Sequence, residues 1–169
     1  MTETITCRQT LSISNHRVFA SDLNEHETVY GGRLLELLDG AASIAASRLA
    51  RVETVTASID QLNFIAPFKL QDSLCIESYV VGVGHRSIEV FTKIIGEHLQ
   101  TGERFLGLTA FLTFVTTEKT SNLPEIAPTT AEEEFICAGY GQRKTQRLAN
   151  FKNQQAFNQQ INLDYPWDY

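Results

Sequence analysis

Cysteine, basic residues and long apolar runs are all scarce in this chain. Its three cysteines, Cys7, Cys75 and Cys137, are odd in number and far apart, so neither a disulfide framework nor a zinc ligand set is encoded. No stretch approaches the roughly 18 unbroken apolar residues of a membrane span, and the first residues lack the basic and apolar regions of a signal peptide. These absences predict a cytoplasmic protein that neither crosses a membrane nor holds a metal.

The balance of charge excludes a further class. The chain has 14 Lys and Arg against 20 Asp and Glu, a formal net charge of -6, whereas general nucleic-acid binding needs a basic surface that displaces counterions from phosphates. Any anionic ligand would therefore have to bind at a local cluster of basic residues. Basic residues concentrate at His85-Arg86 and between Arg143 and Arg147, and either group is more often a solvated face than a binding site.

What the chain does have is the composition of one globular domain, with 169 residues, 43% hydrophobic and 20% charged. Gly32 to Ala50 is its clearest helical pattern, rich in Leu and Ala and free of proline. Apolar residues occupy most of the helical wheel, and the polar ones form a narrow stripe that includes Asp39. This pattern predicts a helix that is buried on most sides.

Stretches of β character surround this helix. The first twenty residues alternate loosely and are typical of strand material, and four later stretches have short connections, which favours antiparallel neighbours in a meander. One strand, one buried helix and four strands predict an α+β domain in which an antiparallel sheet wraps a central helix. The four later stretches are Val55 to Ile65, Ser73 to Val83, Ser87 to Glu97 and Arg104 to Thr117.

Beyond residue 120 the pattern is less regular. Ser121 to Thr130 is predicted as a loop or linker, and Ala131 to Lys152 as an additional C-terminal helix. Asn153 to Tyr169 is predicted as a tail rich in Gln and Asn that is mobile unless a neighbouring subunit holds it. The chain is therefore predicted to have one domain over residues 1–120, with a linker, helix and tail over residues 121–169 that pack on it or extend from it.

The entry to the long helix carries the most specific pattern. An Asn stands in a polar loop, Asn24, a Gly pair opens the helix at Gly31 and Gly32, and Asp39 follows about two turns later. In this order and spacing the segment resembles the hot-dog acyl-CoA thioesterases, whose signature combines these groups. Each piece alone is a weak signal, and the combination is specific.

The resemblance continues beyond the helix and covers roughly residues 5 to 118. The family's Thr in the following strand matches Thr56, and its turn of a glycine, a basic residue and a serine matches His85-Arg86-Ser87, which in the family lies near the phosphates and pantetheine of CoA. The resemblance implies the hot-dog fold and hydrolysis of acyl-CoA to CoA and a carboxylic acid, without a cofactor. His26-Glu27 and Tyr30 differ from the residues that are usual in the family, and neither difference removes a proposed catalytic group.

Thioester hydrolysis needs a nucleophile and a place for the negative charge on the carbonyl oxygen, and the residues of the pattern suit these tasks. Unpaired amides near Gly32, at the start of the same helix that carries Asp39 and at the favourable end of its dipole, would polarise the carbonyl. Asp39, partly stripped of water, would act as a general base on water or attack the thioester itself. Asn24 would hold the water or the carbonyl, and Thr56 would fix the water or the carboxylate.

The predicted site also implies an oligomer. In the family the Asn and the Asp that face each other come from different subunits, so Asn24 and Asp39 would meet across a dimer interface. A single sheet around one helix leaves an edge strand uncovered, which a symmetric pair would bury. A homodimer is the predicted minimum, and the resemblance implies a hexamer, as a trimer of dimers, or a tetramer. Leu34, Leu62 and Phe64 are predicted to line the acyl tunnel.

Three alternatives remain at this point. A dehydratase or hydratase of the same fold would need a His paired with an acidic residue, and the Asp39 helix has no His. A non-catalytic acyl-CoA-binding protein would bind the thioester without cleaving it. A purely structural oligomerisation module would not depend on Asp39.

Overall fold

A computed structural model describes residues 3–118, 122–165 and 167 of the chain. The chain divides into two compact units, the first ending at Cys137 and the second beginning at Ala138. The domain boundary at residue 120 stays a prediction. In chain order the elements are β1 (Thr4–Thr6), α1 (Cys7–Thr10), β2 (Ser12–Arg17), α2 (Gly31–Ala50), β3 (Thr54–Phe64), β4 (Ser73–Val83), β5 (Ser87–His98), β6 (Glu103–Thr116), β7 (Glu125–Ala127), α3 (Ala131–Ala138) and α4 (Tyr140–Asn158).

Five strands form one antiparallel sheet in the order β2-β4-β5-β6-β3. The four strands predicted after the long helix are confirmed, with ends that differ by at most one residue. The predicted meander is wrong at one place, because β3 pairs with β6 at the edge of the sheet and not with β4. The connection between β3 and β4 is no tight turn, since Phe68 is buried in the core and its carbonyl accepts a 3.0 Å hydrogen bond from the N–H of Val29.

The helix α2 packs against strands of this sheet, as predicted for a sheet wrapped around a central helix. Its apolar side chains pack against those of the sheet in one core, while Ile44 remains 44% exposed. The helix ends at Ala50, because Arg51 adopts the left-handed conformation with φ 55°. The buried residues of the helix are Leu34, Leu38, Ala41, Ala42, Ala45, Ala46 and Leu49.

The N-terminal segment differs from the continuous strand that its alternation predicts. A helical turn, α1, interrupts it between β1 and β2. The turn begins at Thr6, whose hydroxyl oxygen accepts from the N–H of Gln9, while the Gln9 side chain accepts from the N–H of Thr6. This reciprocal capping box stabilises helical backbone over Cys7–Thr10.

The C-terminal segment also differs from its prediction. The segment predicted as one helix from Ala131 to Lys152 contains two, α3 and α4, which are separated at Gly139, and α4 continues to Asn158 into the predicted tail. The predicted loop contains β7, which pairs in parallel with β1. Ser121 and residues 166, 168 and 169 lie outside the described residues. Among the helices described for this chain, none is long and apolar enough to cross a bilayer.

Candidate active site

Asp39 and Thr56, two of the three predicted catalytic residues, are in direct contact. The hydroxyl of Thr56 donates a 2.8 Å hydrogen bond to Oδ1 of Asp39. Asp39 lies on the polar stripe of α2 and is partly buried, while Thr56 lies on the edge strand β3 and is exposed. A register shift between Thr56 and Ser58 interrupts the pairing of β3 with β6 beside this contact, as β-bulges often do next to functional side chains.

The predicted carbonyl-binding amides lie at the start of α2, which begins at Gly31. Tyr30 precedes the helix and makes no side-chain hydrogen bond to its first turn. A Cβ on Gly32 would come within 2.7 Å of the Tyr30 ring, so a side chain here would displace that ring. The helix therefore presents its first amides without a side-chain cap, which suits the binding of a developing oxyanion.

Asn24 shapes the loop that leads into this helix. Its side-chain oxygen, Oδ1, accepts hydrogen bonds from the N–H of His26 at 2.9 Å and from both the N–H and the hydroxyl of Thr28 at 3.2 Å. Because Oδ1 is committed to the loop, the amide nitrogen Nδ2 is the atom with which Asn24 would donate to a ligand. No hydrogen bond among the described residues joins Asn24 to Asp39.

The Gly31 end and the Asp39 end of α2 are well separated within one protomer. They lie slightly more than two turns apart, about 12 Å at about 1.5 Å per residue. The sequence predicted that Asp39 and the amides at the start of the same helix would meet at one thioester carbonyl, and a separation of this size does not fit that prediction. A complete site of the predicted kind therefore requires groups from two copies of the chain.

An apolar groove of about 440 Å³ lies beside the start of α2. Two of the three residues predicted to bind the acyl chain, Leu34 and Phe64, line it, whereas Leu62 packs against the core instead. The sequence interpretation missed the apolar segment after β3, although the run of four apolar residues was a visible signal. The other lining residues are Thr28, Val29, Gly31, Ile65, Ala66, Pro67 and Phe68.

The predicted CoA-binding residues His85, Arg86 and Ser87 form the hairpin between β4 and β5. Arg86 donates through Nη2 to the carbonyl of Thr116 at 2.6 Å, and its own carbonyl accepts from the N–H of Thr116 at 3.0 Å. Thr116 pairs with Thr54, so the hairpin lies at the same end of the sheet as Asp39 and Thr56. His85 is exposed, and the Arg86 guanidinium is partly committed to the sheet.

Within residues 3–118, 122–165 and 167, no three His, Cys, Asp or Glu side chains form a group that could hold a metal ion. The sequence interpretation also passed over Asp22, a buried carboxylate two residues before Asn24, which contacts β2 and α2. In the sequence Asp22 looks like any other acidic residue of a polar loop, because the residues that bury it lie elsewhere along the chain.

The sequence is similar to known thioester hydrolases. The profile of the thioesterase superfamily matches residues 26–102. A Bacillus subtilis protein, described as the uncharacterized acyl-CoA thioester hydrolase YkhA, is 42% identical over 168 residues, which are 98% of this chain and 98% of the relative.

The fold is similar to those of solved acyl-CoA hydrolases. The Staphylococcus aureus enzyme in complex with butyryl coenzyme A, coenzyme A and coenzyme A disulfide is 28% identical with a TM-score of 0.85, covering 92% of this chain and 97% of that one. That enzyme has also been solved with an aspartate, a threonine or an asparagine replaced by alanine. A hexameric acyl-CoA thioesterase in its apo form is 30% identical with a TM-score of 0.84, covering 88% of this chain and 97% of that one.

Proposed function

This chain belongs to the thioesterase superfamily, and from that premise we propose that it hydrolyses acyl-CoA to free CoA and a carboxylic acid at a site built around Asp39. Its membership makes it a thioester hydrolase with the hot-dog fold. The observation that carries the assignment of the site is the hydrogen bond from Thr56 to Asp39. It fixes one oxygen of a partly buried carboxylate and leaves the other for the reaction.

Asp39 supplies the reactive group by one of two routes. As a general base it takes a proton from water, which attacks the carbonyl carbon, so that the C–O bond forms and the C–S bond breaks. As a nucleophile it attacks the carbonyl itself, and water then hydrolyses the resulting anhydride. On either route Thr56 holds Oδ1 while Oδ2 reacts, and the departing CoA thiolate gains a proton.

Gly31 and Gly32 of the partner subunit would stabilise the oxyanion that Asp39 generates. Their amides come at the positive end of the helix dipole, where developing negative charge is stabilised. Asn24 of the partner subunit would donate through Nδ2 to the carbonyl or to the attacking water. A symmetric dimer would contain two such sites, each with Asp39 and Thr56 from one copy.

The edge strand β3 is the part of the protomer best suited to form this dimer. It ends the five-stranded sheet and is exposed along most of its length, including Val55, Ile59 and Phe64. Pairing two copies along β3 would satisfy the free edges and cover these side chains. Further assembly into a hexamer, as in one similar thioesterase, or into a tetramer remains part of the proposal.

The engineered variants of the Staphylococcus aureus hydrolase support the choice of residues. The asparagine, aspartate and threonine replaced in that enzyme stand at the same spacings along its chain as Asn24, Asp39 and Thr56 do here. These three groups are therefore proposed as the catalytic set of this chain.

The remaining contacts would serve the two ends of the substrate. The apolar groove with Leu34 and Phe64 would take the acyl chain, since burial of methylene groups is favourable at about 0.8 kcal/mol each. The hairpin at His85, Arg86 and Ser87 would contact CoA. The proposed reaction uses no cofactor, and the cytoplasm is the proposed location.

The test is release of free CoA from a panel of acyl-CoAs, measured by chromatography. We expect turnover by the unmodified protein and a fall of about 10²-fold or more in Asp39→Asn, which keeps the size of the side chain and removes the base. Asp164→Asn, an exposed Asp of the C-terminal unit, is the matched control and should retain full activity. Binding of acyl-CoA without release would instead assign a non-catalytic binding protein, and equal activity in Asp39→Asn would overturn the site.

A further inference from the structure

A buried carboxylate, Asp22, lies at the base of the loop that carries Asn24. Its side chain is 7% exposed. Oδ2 accepts hydrogen bonds from the N–H of Phe19 and from Nε2 of His16, both at 2.8 Å, and Oδ1 accepts from Nε of Arg33 at 3.3 Å. One carboxylate therefore joins strand β2, the segment before the loop and the first turn of α2.

The backbone closes the loop at the same residue. The N–H of Tyr30 donates to the carbonyl of Asp22 at 2.8 Å, and a β-bridge pairs Leu23 with Val29. The N–H of Asn24 donates to the carbonyl of Thr28 at 2.8 Å. The loop thus leaves from Asp22 and returns to it immediately before the helix begins.

The loop and the first turn of α2 carry the two groups that would contact the thioester carbonyl together. Asn24 follows Asp22 by two residues, and Arg33 directly follows Gly31 and Gly32. We propose that Asp22 is a positioning residue, which fixes the Asn24 amide relative to the Gly31 and Gly32 amides by holding Arg33 from the base of the loop. The proposal rests on the proposed function, because the distance between the Asn24 amide and the helix amides affects catalysis only if both contact a thioester carbonyl.

The charges around Asp22 favour a rigid connection between the loop and the first turn of α2. Burial raises the pKa of Asp22, but the Phe19 N–H, the His16 ring and the Arg33 guanidinium outweigh it and lower that pKa below its ordinary value. The carboxylate is therefore ionised at neutral pH and pairs with a permanent cation. Asp22 is the buried member of this pair, whereas Arg33 is 33% exposed and also contacts Glu36 at 2.7 Å. A loop position that took the buried Asp22 carboxylate away from its donors would leave it unsatisfied and is therefore disfavoured.

This role predicts a specific kinetic signature. Asp22 contacts neither the apolar groove nor the hairpin at Arg86, so its loss should leave KM within about threefold. Misplacement of a catalytic group by about 1 Å can cost about 10²-fold in rate. We therefore expect Asp22→Asn to lower kcat between about tenfold and 10²-fold, with Glu25→Gln, an exposed carboxylate of the same loop, as the matched control.

A double-mutant cycle separates positioning from general loss of structure. If Asp22 acts through Asn24, Asp22→Asn should lower kcat far less in an Asn24→Ala background than in the unmodified protein. A purely structural role predicts the same factor in both backgrounds, and that result would overturn the proposal. His16→Gln, which keeps a donor towards Asp22, should retain most of the kcat that His16→Ala loses.

Two further outcomes are decisive. If Asp22→Asn fails to fold, the same cycle is run with Arg33→Gln, which removes the contact with Asp22 together with the ion pair to Glu36, and Glu36→Gln is the control for the second loss. Full activity in both Asn24→Ala and Asp39→Asn would overturn the proposed function and this proposal with it. Loss of activity in those two variants, combined with normal kcat in Asp22→Asn, would overturn the positioning role alone.

Discussion

The hydroxyl of Thr56 donates to Oδ1 of Asp39 at 2.8 Å, which joins the edge strand of the sheet to its central helix. The two residues lie 17 positions apart in sequence, and the turn between α2 and β3 brings them together. Since the carboxylate is only partly buried, this hydrogen bond is the contact that orients it. The orientation of Asp39 therefore depends on a strand that is itself expected to lie at a dimer interface.

Replacing Thr56 by Val tests that dependence, because Val keeps the shape of the side chain and removes the hydroxyl. We expect kcat to fall about tenfold or more, because a hydrogen bond from a neutral donor to a charged group contributes about 1.5 to 3 kcal/mol. Steady-state kinetics with one acyl-CoA measure the effect. Thr56→Ser retains the hydroxyl and is the control that should keep most of the activity; equal losses in Val and Ser would show that the hydrogen bond is not what matters.

Mixing inactive variants tests whether the site is shared between subunits. A dimer that combines Asn24→Ala with Asp39→Asn contains one site with both groups intact and one with neither. After random exchange of subunits at equal amounts, about one quarter of the unmodified activity should return. If both groups act within one protomer, no intact site forms and the mixture stays inactive, whatever the extent of exchange measured by mass spectrometry.

The fold was predictable because its main signals are local. The apolar wheel of α2 and the turn signals around β4, β5 and β6 lie within the elements themselves. The position of β3 beside β6 was not predictable in this way, because the two strands are far apart in sequence and their pairing is a tertiary property. The capping box at Thr6 was a visible local signal that the strand-like alternation concealed.

The candidate site likewise contains residues that local sequence signals predict and residues whose role depends on tertiary contacts. Asn24, Asp39 and Thr56 were predicted because their order and spacing resemble the signature of the hot-dog acyl-CoA thioesterases, and the structure joins the last two by a hydrogen bond. Asp22 was missed because its meaning comes from His16 and Arg33, which pattern alone does not associate with it. A polar loop predicts solvated carboxylates, and only the folded chain distinguishes the buried one.

The lowered pKa of Asp22 predicts a loss of stability in acid. A carboxyl whose pKa is lower in the folded than in the unfolded chain stabilises the fold above its ordinary value of 3.8, and this stabilisation is lost as the pH falls through the folded value. We expect Asp22→Asn to be less stable than the unmodified protein at pH 7, with the difference shrinking below about pH 4. Denaturant unfolding at several pH values measures it, and a difference that stayed constant down to pH 2 would contradict the assignment.

The apolar groove predicts which substrates a narrowed site would lose. Ala66 lines the groove together with Phe64 and is partly buried, so Ala66→Phe would reduce the volume that the groove offers to an acyl chain. Short acyl chains would occupy less of the groove, so the kcat/KM of short acyl-CoAs should change less than about threefold. For long acyl-CoAs we expect kcat/KM to fall at least tenfold, since each methylene denied burial costs about 0.8 kcal/mol.

The matched control is Ala156→Phe on the exposed surface of α4, and kcat/KM measured across chain lengths compares the three proteins. A uniform fall at every length would show that the acyl chain does not bind in this groove.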